Sequence, residues 1–296
     1  MNICRTKQQL KLAIKKAKEK GQSIGFVPTM GYLHDGHASL LRAAREENDV
    51  VVLSIFVNPM QFGQNEDLDR YPRDEQRDLA LAASCNTDIV FLPSVEEMYP
   101  TKPLTSIKVA DVTERLCGAS RPGHFDGVGL VVSKLFHLVE PHHAYFGMKD
   151  AQQVAVIEQM VIDLDMNVTI VPCPIVREPD GLALSSRNVY LNAAHRTEAT
   201  VLSQSLSELA NELKSNSEMT GAQCIELITN NIKQTSGEID YVELLEYPSL
   251  QSVAKEKNLQ DTMNGQRFIV ALAVKFGSTR LIDNALFQVE EVIERV

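Results

Sequence analysis

Two histidines three residues apart, His34 and His37, sit between two glycines in the stretch Met30-Gly31-Tyr32-Leu33-His34-Asp35-Gly36-His37. The apolar run Ile24–Pro28 before it reads as a short buried strand, and Ala38–Glu47 after it as an amphipathic helix. The stretch is therefore a strand-to-helix turn. The first N–H groups of a helix lack intrahelical partners, and the macrodipole adds partial positive charge there, so an anion is favoured. Gly31 and Gly36 remove side chains where a phosphate or nucleobase approaches the backbone. Imidazoles at this spacing can share a helix face and donate hydrogen bonds to phosphate oxygens. Two other uses fit the same residues. His-x-x-His could hold zinc, but only Asp35 is near and no Cys stands at ligand spacing. A capped turn with surface histidines is the other.

Three further stretches carry chemistry. Asn58 and Gln61 follow the β-branched run Asp49–Val57, a strand buried on both faces by its pattern. Beyond a strand's carboxyl end they suit a polar substrate, or they build a plain Asn-Pro turn. Gly147-Met148-Lys149-Asp150 forms a second strand–glycine–helix turn, with Gln152 and Gln153 opening the helix. Lys149 suits a phosphate, Asp150 a ribose hydroxyl and Gln153 a polar substrate; Asp150 is equally an ordinary helix N-terminal acid. Leu184-Ser185-Ser186-Arg187 follows a glycine turn, and such a loop can wrap triphosphate oxygens. Arg121 and His124 stand in a glycine-rich loop that serves a site or supplies flexibility. The pair His142–His143 opens a strand at the end away from the expected site and reads as structural. Cys173 has no basic neighbour in sequence and reads as a structural thiol.

The elements that position these residues run helix Lys7–Lys20, strand Ile24–Pro28, helix Ala38–Glu47, strand Asp49–Val57, helix Asp74–Ser84 and strand Asp88–Leu92. This alternation predicts a Rossmann-like parallel sheet. The phosphate turn is not G-x-G-x-x-G, which argues against a standard NAD site. Further on come strand Ser106–Ala110, short helix Val112–Cys117, helix Leu130–Leu138, strand Pro141–Phe146, helix Ala151–Leu164 and strand Asn167–Val171. From Ala193 the pattern changes to helices 193–213 and 219–232 and to strands 239–245, 266–274 and 280–287 that need not be parallel. The expected class is α/β: a Rossmann-like domain over residues 1–174 and a smaller α+β domain over 175–296 that could close over the first. Of the 296 residues, 44% are hydrophobic and 23% charged, an ordinary globular composition. A net charge of −10 disfavours nonspecific nucleic-acid binding. Five scattered cysteines without a C-x-x-C pair, no apolar leader segment and no membrane-length run point to a cytosolic, reduced protein.

The blocks PTMGYLHDGH, SIFVNPMQF, YPR, RPGHFDGV, FGMKDAQQ and IVREPDGLALSSRN, in this order from Pro28 to Asn188, resemble the pantothenate synthetase (pantoate–β-alanine ligase) family. The histidine turn itself resembles the H-I-G-H signature of nucleotidyltransferases. The resemblance implies condensation of pantoate with β-alanine through a pantoyl adenylate, releasing AMP and pyrophosphate, with Mg²⁺ accompanying ATP and a homodimeric assembly. It implies that Met30, Gly31, Tyr32, Leu33, His34, Asp35, Gly36 and His37 line ATP, with both imidazoles on the phosphates and His37 as proton donor. Gly147, Met148, Lys149, Asp150 and Val176 would contact ATP, and Leu184, Ser185, Ser186 and Arg187 would close on its phosphates. His34, His37 and Lys149 would carry catalysis. Gln61 and Gln153 would hold pantoate, with Asn58 supporting that pocket. The chain departs from the family pattern at Met148, Ala151 and Leu184, where Glu, an aromatic residue and Met are usual. The motifs do not fix the metal ligands; Asp78 is the candidate. The two rival readings are an adenylyl- or cytidylyltransferase of the same superfamily and a non-catalytic nucleotide-binding module.

Overall fold

The computed structural model describes residues 1–64, 66–216, 218–259 and 265–288. Its elements in chain order are β1 (Asn2–Cys4), α1 (Lys7–Glu19), β2 (Ile24–Thr29), α2 (Asp35–Glu47), β3 (Val50–Ile55), α3 (Glu75–Ser84), β4 (Ile89–Phe91), α4 (Val95–Met98), α5 (Leu116–Ser120) and α6 (His124–Val139). They continue with β5 (His143–Gly147), α7 (Ala151–Asp163), β6 (Thr169–Cys173), α8 (Ala193–Glu198), α9 (Val201–Ser215), α10 (Gly221–Ile232), β7 (Glu238–Glu246), β8 (Arg267–Phe276) and β9 (Thr279–Gln288). Short 3₁₀ turns cover Pro59–Gln61, Met148–Asp150 and Ser186–Tyr190.

By spatial grouping the chain forms two compact units, Met1–Ala110 with Arg121–Met148 and Val156–Val176, and Asp111–Ser120 with Lys149–Ala155 and Arg177–Val296. A single cut after residue 174 does not describe this grouping. Residues 111–120 and 149–155 go with the C-terminal segment because buried groups tie them there. The Gln152 amide donates to the carbonyls of Val112 (2.9 Å) and Arg115 (2.8 Å), and Asn284 donates to the Lys149 carbonyl (3.0 Å).

The first unit is built on a six-stranded sheet in the order β1-β4-β3-β2-β5-β6, parallel in every pairing. All six residues of β3 are buried, Ser54 among them, as a nearly continuous apolar run requires of a central parallel strand. β3 and β4 lie on one side of β2, and β5 and β6 on the other, so the order reverses between β2 and β5. In open α/β sheets ligands bind beyond the carboxyl ends at that reversal. The histidine turn leaves the end of β2, and Gly147 ends β5. α2 presses Ala38, Leu41 and Ala44 onto the sheet beside Val27, Leu53 and Leu33, all nearly inaccessible. Burial of this kind stabilises by about 1.5–3 kcal/mol for each Val or Leu and by about 0.8 kcal/mol for each alanine methyl, before the entropy of ordering.

α1 begins at a reciprocal cap: Thr6 accepts the Gln9 N–H (3.2 Å) and the Gln9 side chain accepts the Thr6 N–H (3.1 Å). Leu10, Ile14 and Ala17 are its buried stripe, and its lysines lie on the other faces. β1, at the sheet edge beside β4, has no counterpart in the sequence reading, since three residues carry too little periodicity.

Several boundaries differ from expectation. α2 starts three residues early, so that Asp35, Gly36 and His37 form its first turn. Residues 106–110 are not a strand, and the short helix is Leu116–Ser120. α6 begins at His124 instead of Leu130. Its glycines suggested a flexible loop, but they serve close packing. A Cβ on Gly127 would lie 2.2 Å from the Met60 carbonyl oxygen. The expected helix 193–213 divides at Ala199–Thr200, where the Thr200 hydroxyl donates back to the Thr197 carbonyl at 2.8 Å.

The second unit carries the antiparallel sheet β7-β8-β9. α9 and α10 pack Leu202, Leu206, Leu209 and Ile228 on Leu244, Val270 and Leu272. All five cysteines are buried free thiols. Among the described residues no helix is long and apolar enough to cross a membrane.

Candidate active site

In the first unit, the turn after β2 needs unusual backbone. Gly31 has φ +87° and Tyr32 has φ 52°, both left-handed. Glycine is required at 31: a Cβ there would sit 2.9 Å from Ile55 Cγ2 and 3.0 Å from Asp78 Oδ2. The Asp78 carboxylate, 2% exposed on α3, fastens the turn from outside. Its Oδ2 accepts the Tyr32 N–H at 2.8 Å and its Oδ1 the Leu33 N–H at 2.6 Å. Burial pushes this carboxyl above its ordinary range, while the two backbone donors pull the other way. The Arg77 guanidinium stacks 4.7 Å from the Tyr32 ring centre. Leu33 turns its side chain into the core.

The histidines then cap α2 reciprocally. His34 Nδ1 accepts the Gly36 N–H at 3.2 Å, and His37 Nδ1 accepts the His34 N–H at 3.3 Å. A ring nitrogen that accepts carries no proton, so in each neutral imidazole the proton is on Nε2. The two rings lie 4.1 Å apart. The arrangement therefore offers two Nε2–H donors beside a helix N-terminus. It also leaves each Nδ1 committed to a backbone donor, unlike a zinc ligand pair. Among the described residues no group of three or more His, Cys, Asp or Glu could hold a metal ion.

A cavity of about 250 Å³ opens beyond the ends of β2, β3 and β4, lined by Met30, Gly31, Tyr32, Phe56, Asp78 and Pro93 among others. Beside it, Asn58 and Gln61 are 1% and 8% exposed. The Asn58 amide donates to Gln61 Oε1 at 3.1 Å, and Gln61 Nε2 lies 3.4 Å from Met30 Sδ. Arg121 and His124 secure this segment from behind: His124 Nδ1 is 2.7 Å from the Gln61 carbonyl oxygen, and Arg121 ion-pairs with Glu66. Burial opposes ionisation of Glu66, but the Arg121 hydrogen bonds and charge outweigh it and hold the carboxyl below its usual range.

In the same unit the paired histidines are structural, as their position implied. His142 Nδ1 accepts the Ile24 N–H at 2.9 Å, and His143 Nδ1 lies 2.9 Å from Asn48 Oδ1. Burial, and then the Glu47 charge, push the Cys173 thiol up to about 11, far from a ready nucleophile. Gly147, Met148 and Val176 also belong to this unit.

The second unit holds Lys149, Asp150, Gln153 and the Leu184–Arg187 loop. Lys149 Nζ is 4.0 Å from Asp150 Oδ2. Gln152 is buried in carbonyl contacts, whereas Gln153 is only half-buried. Ser185 caps the following 3₁₀ turn by accepting the Arg187 N–H at 3.2 Å. The loop that carries these residues is braced by groups the sequence did not flag. Arg177 forms a fork with the buried Asp283 (2.6 and 2.9 Å) and reaches the Gly181 carbonyl (3.1 Å). Arg196 pairs with Glu178 and Asp180. Only the bare types of Arg177 and Asp283, 106 positions apart, were visible in sequence.

The chain matches the model of the family described as Pantoate-beta-alanine ligase over residues 2–286. It is 54% identical over 290 residues to the pantothenate synthetase of Acetivibrio thermocellus, covering 98% of this chain and 100% of the relative. It is 53% identical to that of Bacillus thuringiensis over 295 residues, with 98% and 100% covered. Among solved structures, a pantothenate synthetase from Thermus thermophilus superposes with a TM-score of 0.88 at 42% identity, covering 96% of this chain and 99% of that one. A pantoate-beta-alanine ligase from Francisella tularensis, complexed with beta-gamma ATP and beta-alanine, gives 0.77 at 37% identity, with 97% of each chain covered.

Proposed function

This chain belongs to the pantoate-beta-alanine ligase family, and on that basis we propose how its residues divide the work of joining pantoate to β-alanine at the expense of ATP. In the first step the pantoate carboxylate attacks the α-phosphate, a P–O bond to the β-phosphate breaks, and pyrophosphate leaves. In the second the β-alanine amine attacks the acyl carbon of the adenylate, a C–N bond forms, and AMP leaves with the C–O electrons. Neither step needs a nucleophile from the protein. Both build charge on phosphate oxygens, so positioning and charge stabilisation carry the catalysis.

The observation that supports this reading most is the reciprocal cap that the two imidazoles make on α2. With each Nδ1 taken by a backbone N–H, His34 and His37 present Nε2–H groups as donors to phosphate. His37 serves as the proton donor and Lys149 adds a full positive charge. Met30–His37, Gly147, Met148, Lys149, Asp150 and Val176 line the nucleotide. Leu184, Ser185, Ser186 and Arg187 bind its phosphates. Gln61 and Gln153 hold pantoate, and Asn58 supports Gln61. Mg²⁺ enters with ATP as part of the substrate; such ions keep several waters and take most ligands from phosphate. The chain acts in the cytoplasm as a homodimer.

The test is an AMP-release assay from which pantoate and β-alanine are omitted in turn. AMP should appear only when both are present. AMP formed with neither pantoate nor β-alanine required would overturn this reading, and a final product that retains the nucleotide would replace it with a nucleotidyltransferase.

A further inference from the structure

The Asn58 side chain is held in one orientation by two backbone groups of fixed polarity. Its Oδ1 accepts the Met60 N–H at 3.3 Å, and its Nδ2 donates to the Gly127 carbonyl at 3.1 Å. A backbone N–H can only donate and a carbonyl can only accept, so the amide cannot be reversed without losing both bonds. Two further bonds inherit their direction from it. The Tyr99 hydroxyl, 2.9 Å from Asn58 Oδ1, must donate. Gln61 Oε1, 3.1 Å from Asn58 Nδ2, must accept. The Gln61 amide is thereby oriented as well, with its oxygen spent on Asn58 and its NH₂ on the side where Met30 Sδ lies.

The surroundings reinforce this polarity. Asn58 is 1% exposed, so bulk water does not compete for its amide. Burial pushes the Tyr99 hydroxyl up to about 12, so it keeps its proton throughout the physiological range. Gly127 is essential to the geometry, because a Cβ there would overlap the Met60 carbonyl at 2.2 Å.

We propose that Tyr99 is a positioning residue for pantoate recognition: its hydroxyl adds a third bond to the Asn58 amide that the Met60 N–H and the Gly127 carbonyl orient, and thereby steadies Gln61 as a hydrogen-bond donor, so that the site receives an oxygen acceptor there. This rests on the reading above that Gln61 holds pantoate. An ammonium in place of that oxygen would face NH₂ donors with none of its own protons satisfied, and it is rejected for that reason.

The experiment is steady-state kinetics on Tyr99→Phe, Asn58→Asp, Gln61→Ala and the Tyr99→Phe/Gln61→Ala double variant, with pantoate and ATP varied separately. Thermal melts of each variant confirm folding. Tyr99→Phe should raise the pantoate KM about three- to tenfold, the scale of one neutral hydrogen bond, with kcat and the ATP KM nearly unchanged. Asn58→Asp puts an acceptor opposite Gln61 Oε1 and should raise the pantoate KM further. It should also improve inhibition by pantoate analogues carrying an ammonium for a hydroxyl. The double variant should be no worse than Gln61→Ala alone. If Gln61→Ala raises the pantoate KM but Tyr99→Phe does not, or if the two effects simply add, the relay is overturned while the pantoate role of Gln61 stands. If Gln61→Ala leaves the pantoate KM unchanged, the assignment of Gln61 falls, and the relay with it.

Discussion

Leu33 donates its backbone N–H to Asp78 at 2.6 Å, across 45 positions of sequence. With the Tyr32 N–H at 2.8 Å on the other carboxylate oxygen, this one side chain holds the left-handed bend that delivers His34 to the start of α2. Asp78→Ala would leave two buried donors without acceptors, a loss of about 2–4 kcal/mol of stability. Turnover should fall further, on the order of a hundredfold in the folded fraction, because the imidazoles lose their placement. Urea unfolding beside AMP release measures both. Turnover that tracks only the folded fraction would mean the bend holds itself.

The same carboxyl sets a pH dependence. Burial raises its pKa in the folded chain despite the Leu33 and Tyr32 N–H bonds. Between the ordinary aspartate value of about 3.9 and that higher value, the folded state binds more protons than the unfolded state. Stability contributed by this group is therefore lost as pH rises through that window. Asp78→Asn should flatten that part of the stability profile, as read by urea midpoints from acid to neutral pH. An unaltered profile would show that other groups dominate it.

His37→Ala and Lys149→Ala should each lower kcat/KM by about 2–4 kcal/mol of transition-state stabilisation with little change in melting temperature. The comparison is a melting curve against initial rates. Near-normal rates in either variant would take that residue out of the mechanism.

Adjacent glutamines should behave differently. Gln152 donates to two buried carbonyls, so Gln152→Ala should lower stability by about 1–3 kcal/mol with the pantoate KM preserved. Gln153→Ala should raise the pantoate KM and leave stability intact. A swap of these outcomes would reverse the two roles.

The Arg177–Asp283 fork places a 2%-exposed carboxylate against a guanidinium. Arg177→Ala strands that charge and should cost about 3–5 kcal/mol. Arg177→Lys keeps the charge but not the fork. Both variants should speed proteolytic cleavage within residues 178–188 under native conditions. Equal cleavage rates in wild type and Arg177→Lys would show that the charge alone braces the loop.

The alternating β/α order of the first unit is written in the sequence alone. A nearly continuous apolar run such as Val50–Ile55, broken only by Ser54, can be stable only when covered on both faces, and that property is local. The chemistry on offer is written there too: glycines with two imidazoles at a strand-to-helix turn, and the ordered blocks shared with one family. What the linear string could not supply was direction. The proton on Nε2 of His34 and His37, the donor face of Gln61, and the work of Asp78 and Tyr99 each depend on particular hydrogen bonds, some between residues dozens of positions apart. The start of α6 is illegible in the linear string for the same reason. Gly127 looks like flexibility in a linear string, and only the approach of the Met60 carbonyl reveals it as a packing requirement. Side-chain type is carried by the chain, but hydrogen-bond polarity is assigned by whichever fixed backbone group folding brings alongside.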